Sequence, residues 1–254
     1  MFQYDQEIRL FLSRMVRMEQ PYKLTPLEEQ TMNQKLEIFN DLISTFSLES
    51  GEELSLKERE CLAGIPDITL TYGEIDFVSI CEIFYTINNR YGGLPSGIFY
   101  DLGSGMGKAV IAAAMCGQFT LCKGIEILNA LYNISEQVKQ KYYRDMPDVI
   151  RNNKHLFTKF VDIEFSRGNM FDFNWSDASI IFANSTCFGT DMMKRIGDLP
   201  LNIGTIGISF TEIYLGDGWI ILESIRKIMS WGQATVYIQR YVGSHNINRV
   251  KSNF

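Results

Sequence analysis

The sequence predicts an α/β fold built on an open, mainly parallel, Rossmann-like sheet, preceded by an N-terminal helical extension. Three observations carry this reading. From about residue 70 onward, short apolar runs alternate with stretches of helical period. Residues 98–107 read Ile-Phe-Tyr-Asp-Leu-Gly-Ser-Gly-Met-Gly, and a small-residue helical pattern leaves through Ala109, Ala112, Ala113 and Ala114. The next apolar run ends in an acid, Glu126. The first of these runs is a strand, a tight turn and a helix. Glycine at 103, 105 and 107 lets the backbone take left-handed angles and approach a ligand with no Cβ in the way. The following helix presents unpaired N–H groups to the turn, which suits a nucleotide-like occupant.

Composition sets the frame. With 254 residues and 46% apolar content, the chain can build one large globular domain with a substantial extension. Five cysteines form no C-x-x-C pair and sit in apolar stretches, so they are expected to be reduced packing residues of an intracellular protein. Two histidines, His155 and His245, make a zinc site improbable. No charged leader precedes an apolar core and no apolar run reaches membrane-spanning length, so a soluble, unsecreted protein is expected, as a monomer. The net charge of −6 lies in residues 1–67, which hold 13 acids and 7 bases; the remainder is balanced. Strong binding to nucleic acid would call for a basic stripe. Only Arg240, Arg249 and Lys251, near the C-terminal end, come close, and they read as a solvated tail.

Taken in order, residues 3–19 carry Ile8, Leu12, Met15 and Val16 at helical spacing, and a second helix follows Thr25-Pro26. Its apolar face is Leu27, Met32, Leu36, Phe39, Leu42 and Ile43, and a short third helix is expected over 56–62. Together residues 1–67 form a helical cap that shields one side of the sheet, with the sheet domain at 68–254. Thr71 to Ile75 opens a helix through Val78, Ile80, Ile83 and Phe84, and could fold over the glycine turn as a lid. Strands are expected at 98–102, 121–127, 160–167 and 179–183. A helix at 131–143 and a polar connection at 145–155 separate the second and third strands. Segments 203–210, 219–222 and 235–238 supply the remaining strands, while 222–228 fits helix or strand equally.

The strand tips define the chemistry. Glu126, 25 residues after Asp101, is placed to accept hydrogen bonds from two ribose hydroxyls, and Asn184 shares the crevice at the tip of the fourth strand. In the loop after the third strand, a polar side chain could bond an adenine amino group while Met170 packs on the ring. A dinucleotide oxidoreductase wants G-x-G-x-x-G under its pyrophosphate. This chain has G-x-G-x-G after Asp101, which suits a methionine moiety carrying an ammonium and a carboxylate but no phosphate.

Tyr72-Gly73-Glu74, Asp101 to Gly107, Gly124-Ile-Glu126, Gly168-Asn-Met-Phe171 and Ile181 to Gly189 resemble, in order and spacing, the catalytic domain of the disruptor-of-telomeric-silencing histone-lysine methyltransferases. The similarity runs from about residue 70 to Tyr241. It implies a seven-strand S-adenosylmethionine-dependent methyltransferase fold, not a SET domain, and transfer of a methyl group to a lysine of a protein substrate, histone among the possibilities. By this resemblance Tyr72, Gly73, Glu74 and Ile75 fold over the methionine end. Phe99, Tyr100, Asp101, Leu102, Gly103, Ser104, Gly105, Gly107 and Lys108 form the cradle. Glu126, with Ile127 beside it, holds the ribose, and Asn169 and Met170 hold the adenine. Asn184 and Tyr237 are the implied catalytic residues. Phe182 borders both cofactor and channel, and Trp231 and Ser209 line the channel for the lysine. The family usually has Asp at Asn169, Gln at Lys108, Thr at Ile75, and Asn and Phe at Ser185 and Thr186. Its lysine-rich DNA-binding segment has no counterpart here, so strong DNA binding is not expected. Two other readings share Asp101 and Glu126: a methyltransferase acting on a non-lysine or small-molecule acceptor, and a degenerate module that only binds.

Overall fold

A computed structural model describes residues 21–63 and 68–243. The helix expected at 3–19, His245 and the basic residues 249 and 251 lie outside them. Helix α1 (Pro26–Ile43) starts at a complete capping box: the Thr25 side chain accepts from Glu28 N, and the Glu28 carboxylate accepts from Thr25 N. Helix α2 (Leu48–Ala63) is eight residues longer at its start than the sequence suggests. Helix α3 (Phe77–Arg90) is capped by Asp76, which leaves residues 71–75 outside the helix as a loop. After α3 come β1 (Ile98–Leu102), α4 (Lys108–Cys116), β2 (Leu121–Glu126), α5 (Asn129–Asn152) and β3 (Asp162–Arg167). Then follow β4 (Ala178–Ala183), α6 (Thr190–Gly197), β5 (Ile206–Phe210), β6 (Trp219–Met229) and β7 (Gly232–Tyr241).

One expectation is corrected and one open reading is decided. The polar stretch 145–152 continues α5, with Pro147 inside the helix. Tyr142, Met146, Val149 and Ile150 extend the apolar stripe past it, so packing outweighs the hydrogen bond that proline forfeits. Residues 222–228 are strand: β6 and β7 make one long antiparallel hairpin.

The seven strands form one sheet in the order β3-β2-β1-β4-β5-β7-β6. β1 to β5 run parallel and β7 pairs antiparallel with β5. This is the seven-strand methyltransferase fold, and its topological switch lies between β1 and β4, whose tips carry Asp101 and Asn184. Alternation along each strand divides the core. Phe99, Ile180, Phe182, Ile208, Val236 and Ile238 pack toward α1, α3, α4 and α5. Tyr100, Leu102, Ile181 and Ala183 pack on the other face, toward Met193 and Ile196 of α6.

Cysteine pairing also departs from expectation. The structure joins Cys81 of α3 to Cys116 at the end of α4, 35 residues apart, with Cα atoms 6.0 Å apart. Cys61, Cys122 and Cys187 are free thiols. Among the described residues no helix is long and apolar enough to cross a membrane, and no cluster of three or more His, Cys, Asp or Glu could hold a metal.

Candidate active site

The glycine turn is anchored to β2 before it enters α4. The amides of Gly103 and Ser104 donate to Ile125 O at 2.9 and 3.0 Å. Gly105 and Gly107 hold φ values of 54° and 81°, which a side chain resists. A Cβ on Gly105 would lie 2.3 Å from the Tyr72 ring, and one on Gly107 2.3 Å from the Phe165 ring. The turn thus offers bare backbone upward and packs tightly below.

Glu126, at the tip of β2, is buried yet well solvated by the chain. Its Oε2 accepts from Gly105 N at 2.7 Å and its Oε1 from Leu128 N at 2.7 Å. Burial raises its pKa above the ordinary glutamate value, and those backbone amides oppose the shift. Asp101, fully enclosed at the tip of β1, is raised much further, by burial and then by the charge of Glu126. No lysine, arginine or histidine among the described residues pairs with Asp101. Two buried, mutually repelling carboxylates fit a ligand that brings positive charge.

Buried side-chain polar atoms without a hydrogen-bond partner number three among the described residues: Asp101 Oδ1, Ser104 Oγ and Asn184 Oδ1. All three residues line one cleft, together with Tyr72, Gly73, Glu74, Ile75, Gly103, Gly105, Lys108, Ala109 and Phe182. Native interiors satisfy nearly all such atoms, so three orphans in one place mark a ligand site. The set fits S-adenosylmethionine: Asp101 for its ammonium, a bare glycine turn and the Asn184 amide, with Glu126 adjoining the cleft through its bond to Gly105 N.

Residues 72–75 lie closed over the turn. Tyr72 Oη donates to Glu74 Oε1 at 2.5 Å, Lys108 Nζ pairs with Glu74 at 2.7 Å, and Asn184 Nδ2 donates to Gly73 O at 2.9 Å. The β6–β7 turn grips this loop from outside. Ser230 N donates to Glu74 O, Glu74 N donates to Ser230 Oγ, and Ile75 forms a bridge with Met229. A Cβ on Gly73 would lie 2.5 Å from the Trp231 ring. Residues 72–75 narrow the cleft over the turn, and lifting them would widen it for the donor. The Lys108–Glu74 pair ties the lid to the start of α4 with both side chains largely buried, so removing one partner leaves the other charge uncompensated. Lys108→Gln is expected to speed both association and release of donor about tenfold while changing Kd less; stopped-flow fluorescence of Trp231, which rests on the lid, reads both rates.

The structure brings half of the expected residues to this cleft, and Glu126 and Gly107 adjoin it without lining it. Phe99 turns its ring into the core beside Phe119 and Phe182, at 5.4 and 6.0 Å. Tyr100 points to the other face, where its hydroxyl donates to Asp177 at 3.0 Å. Leu102 is buried in the core under the turn, and Ile127 is 44% exposed. Asn169 spends its side-chain oxygen on Phe171 N at 3.0 Å, capping the single turn Met170–Asp172, and Met170 packs into the second core. Ser209 does not open on a channel: it is wholly buried and donates to Glu212 O at 2.7 Å. Tyr237 is half-buried opposite Ser209, on the face of β7 away from Ala234, Val236 and Ile238. Three contributors went unread in the sequence. Ala109 lines the cleft, Ser230 holds the lid, and Glu58 of α2 bonds Asn129 N and Ala130 N, both at 2.7 Å. On the β5 side, Thr211 is the one non-glycine among the described residues with positive φ, 66°, and its hydroxyl donates to that of Thr186.

Comparisons with known proteins place this geometry. Residues 67–217, more than half of the chain, match the family described as histone methylation protein DOT1. No curated protein matches the chain. Among solved structures, similarity is found to an RNA methyltransferase from Salinibacter ruber in complex with S-adenosyl-L-homocysteine, at 20% identity over 65% of this chain and 90% of that one, with a TM-score of 0.45. It is also found to the rRNA methyltransferase aviRa from Streptomyces viridochromogenes, at 11% identity over 66% of this chain and 86% of that one, with a TM-score of 0.48. With a seven-strand sheet of this order and a glycine turn flanked by Asp101 and Glu126, the chain belongs to the DOT1 histone methylation family and is an S-adenosylmethionine-dependent methyltransferase.

Proposed function

We propose that the chain transfers the methyl group to a lysine amine of a protein substrate. One observation carries the reading. The Asn184 amide is fixed by its donation to Gly73 O, leaving its buried oxygen unpartnered and turned into the cleft. An oxygen held that way can accept an N–H from an incoming amine and aim the nitrogen lone pair. Membership in a family named for histone methylation supports a protein acceptor.

When bound, S-adenosylmethionine supplies a methyl group already activated by a positive sulfonium. In this reading Asp101 balances the donor's ammonium, Glu126 takes its ribose hydroxyls, and the closed lid excludes water. Carboxylate oxygens have about four lone-pair sites, so Glu126 keeps acceptor capacity beyond the Gly105 and Leu128 amides. Trp231, whose ring lies against Gly73, borders the lid, and loss of water around an entering lysine disfavours its ammonium form, releasing the neutral nucleophile. Holding that amine in line supplies much of the rate, and no dedicated base is needed.

The histone itself is left open by Ser185 and Thr186. Ser185 is buried, its hydroxyl donating to Phe210 O at 2.9 Å, and Thr186 meets Thr211, so hydroxyls stand where the family usually has an amide and a ring. Incubating the intact protein with labelled S-adenosylmethionine and a lysate of the host cell, followed by mass spectrometry, tests the assignment. Methyl-lysine in a discrete protein is expected; label confined to RNA or to small molecules would contradict it.

A further inference from the structure

The helical extension does more than shield the sheet. Gly51, Leu54, Ser55 and Glu58 stand at i, i+3, i+4 and i+7 on α2, one helical stripe, which faces the lid and the start of α5. A Cβ on Gly51 would lie 2.4 Å from the Tyr72 ring. Leu54 packs against the cluster of Met106, Leu128 and Leu131, as Tyr72 does, and the buried Ser55 donates to Leu70 O at 3.1 Å. Glu58 reaches furthest. The N-cap of α5 is Leu128, which has no side-chain acceptor to offer its own helix. Three successive amides are instead divided between two acids: Leu128 N goes to Glu126, and Asn129 N and Ala130 N go to Glu58.

We infer that Glu58 is a positioning residue of the donor site: by taking the two α5 amides it leaves Glu126 turned toward Gly105 and the ribose. Without it, Glu126, already bonded to the adjoining Leu128 N, would be drawn toward the freed start of α5 and off the glycine turn. The inference rests on the reading of Glu126 as ribose ligand, and it assigns a donor-site role to a residue outside the stretch that matches the family.

Calorimetric titration of the full chain with S-adenosylhomocysteine across pH, for wild type, Glu58→Ala, Glu58→Gln and Glu126→Ala, tests it. Loss of a cap predicts about tenfold weaker binding in Glu58→Ala and about threefold in the isosteric Glu58→Gln, which keeps one acceptor oxygen. A second readout separates positioning from mere support. The groups facing Glu126 are Asp101 of β1, Tyr72 of the lid, Glu58 of α2 and, in register on β3, Arg167, whose guanidinium is bonded to Asn129. Glu58 adds a negative charge that raises the Glu126 pKa, so its removal lowers that pKa. The acid limb of binding therefore moves to lower pH in Glu58→Gln. Unchanged affinity in both Glu58 variants, or weaker binding with an unmoved acid limb, overturns the inference. Normal binding by Glu126→Ala would instead remove the reading on which it rests.

Discussion

Asn184→Ala is expected to lower the rate of methyl transfer by about 100- to 1000-fold, the range seen when one oriented polar group is removed from a reacting centre. Donor affinity should change by less than about fivefold. The asymmetry follows from what the amide does. Its nitrogen makes one neutral hydrogen bond to the lid, at Gly73 O, and such a bond contributes about 1 kcal/mol. Its oxygen has no partner in the protein, which leaves it available to the acceptor amine. Single-turnover kinetics on the acceptor found by labelling, beside donor titration, separates the two effects. Full activity on that acceptor would remove the role assigned to Asn184.

Glu126→Ala should act the other way, weakening donor binding about 100-fold while leaving the fold intact. Hydrogen bonds to a charged acceptor contribute about 1.5–3 kcal/mol each, and two ribose hydroxyls are at stake. The loss is compounded because Gly105 N and Leu128 N also lose their acceptor, which frees the middle of the glycine turn. The same carboxylate gives binding a pH dependence. Its pKa is raised by burial above the usual value of about 4.3, and only the ionised form accepts from both hydroxyls. Affinity should therefore be full at neutral pH and fall as pH drops through that raised pKa. Glu126→Ala should lose this limb.

What could be read from the sequence was what neighbours along the chain decide. The helix start at Thr25-Pro26, the left-handed glycines and the acids at the tips of β1 and β2 are local signals, and the structure contains each. What escaped depends on distant partners. The start of α2 carries Ser50, Gly51 and several acids, poor material for a helix by propensity; it is helical because Gly51 lets the Tyr72 ring pack against it. Glu58 looks like a solvated surface acid until α5, 71 residues on, presents its amides. Cys81 and Cys116 have no spacing signature, since only the side-by-side packing of α3 and α4 brings them together. Helix α6 has two buried apolar side chains, Met193 and Ile196, too few to set a period. At Ser209 the strand follows from the local pattern, but the direction of its hydroxyl does not, because Glu212 O, in the turn that follows, accepts it.

The account turns on a donor lying across the tips of β1, β2 and β4, with its sugar tied to one carboxylate. Calorimetric titration of wild type and Glu126→Ala with S-adenosylhomocysteine at neutral pH tests this most directly. Saturable one-to-one binding by the wild type, about 100-fold weaker in the variant, is the predicted result. No heat from folded wild-type protein, or equal affinity in the two, would contradict it.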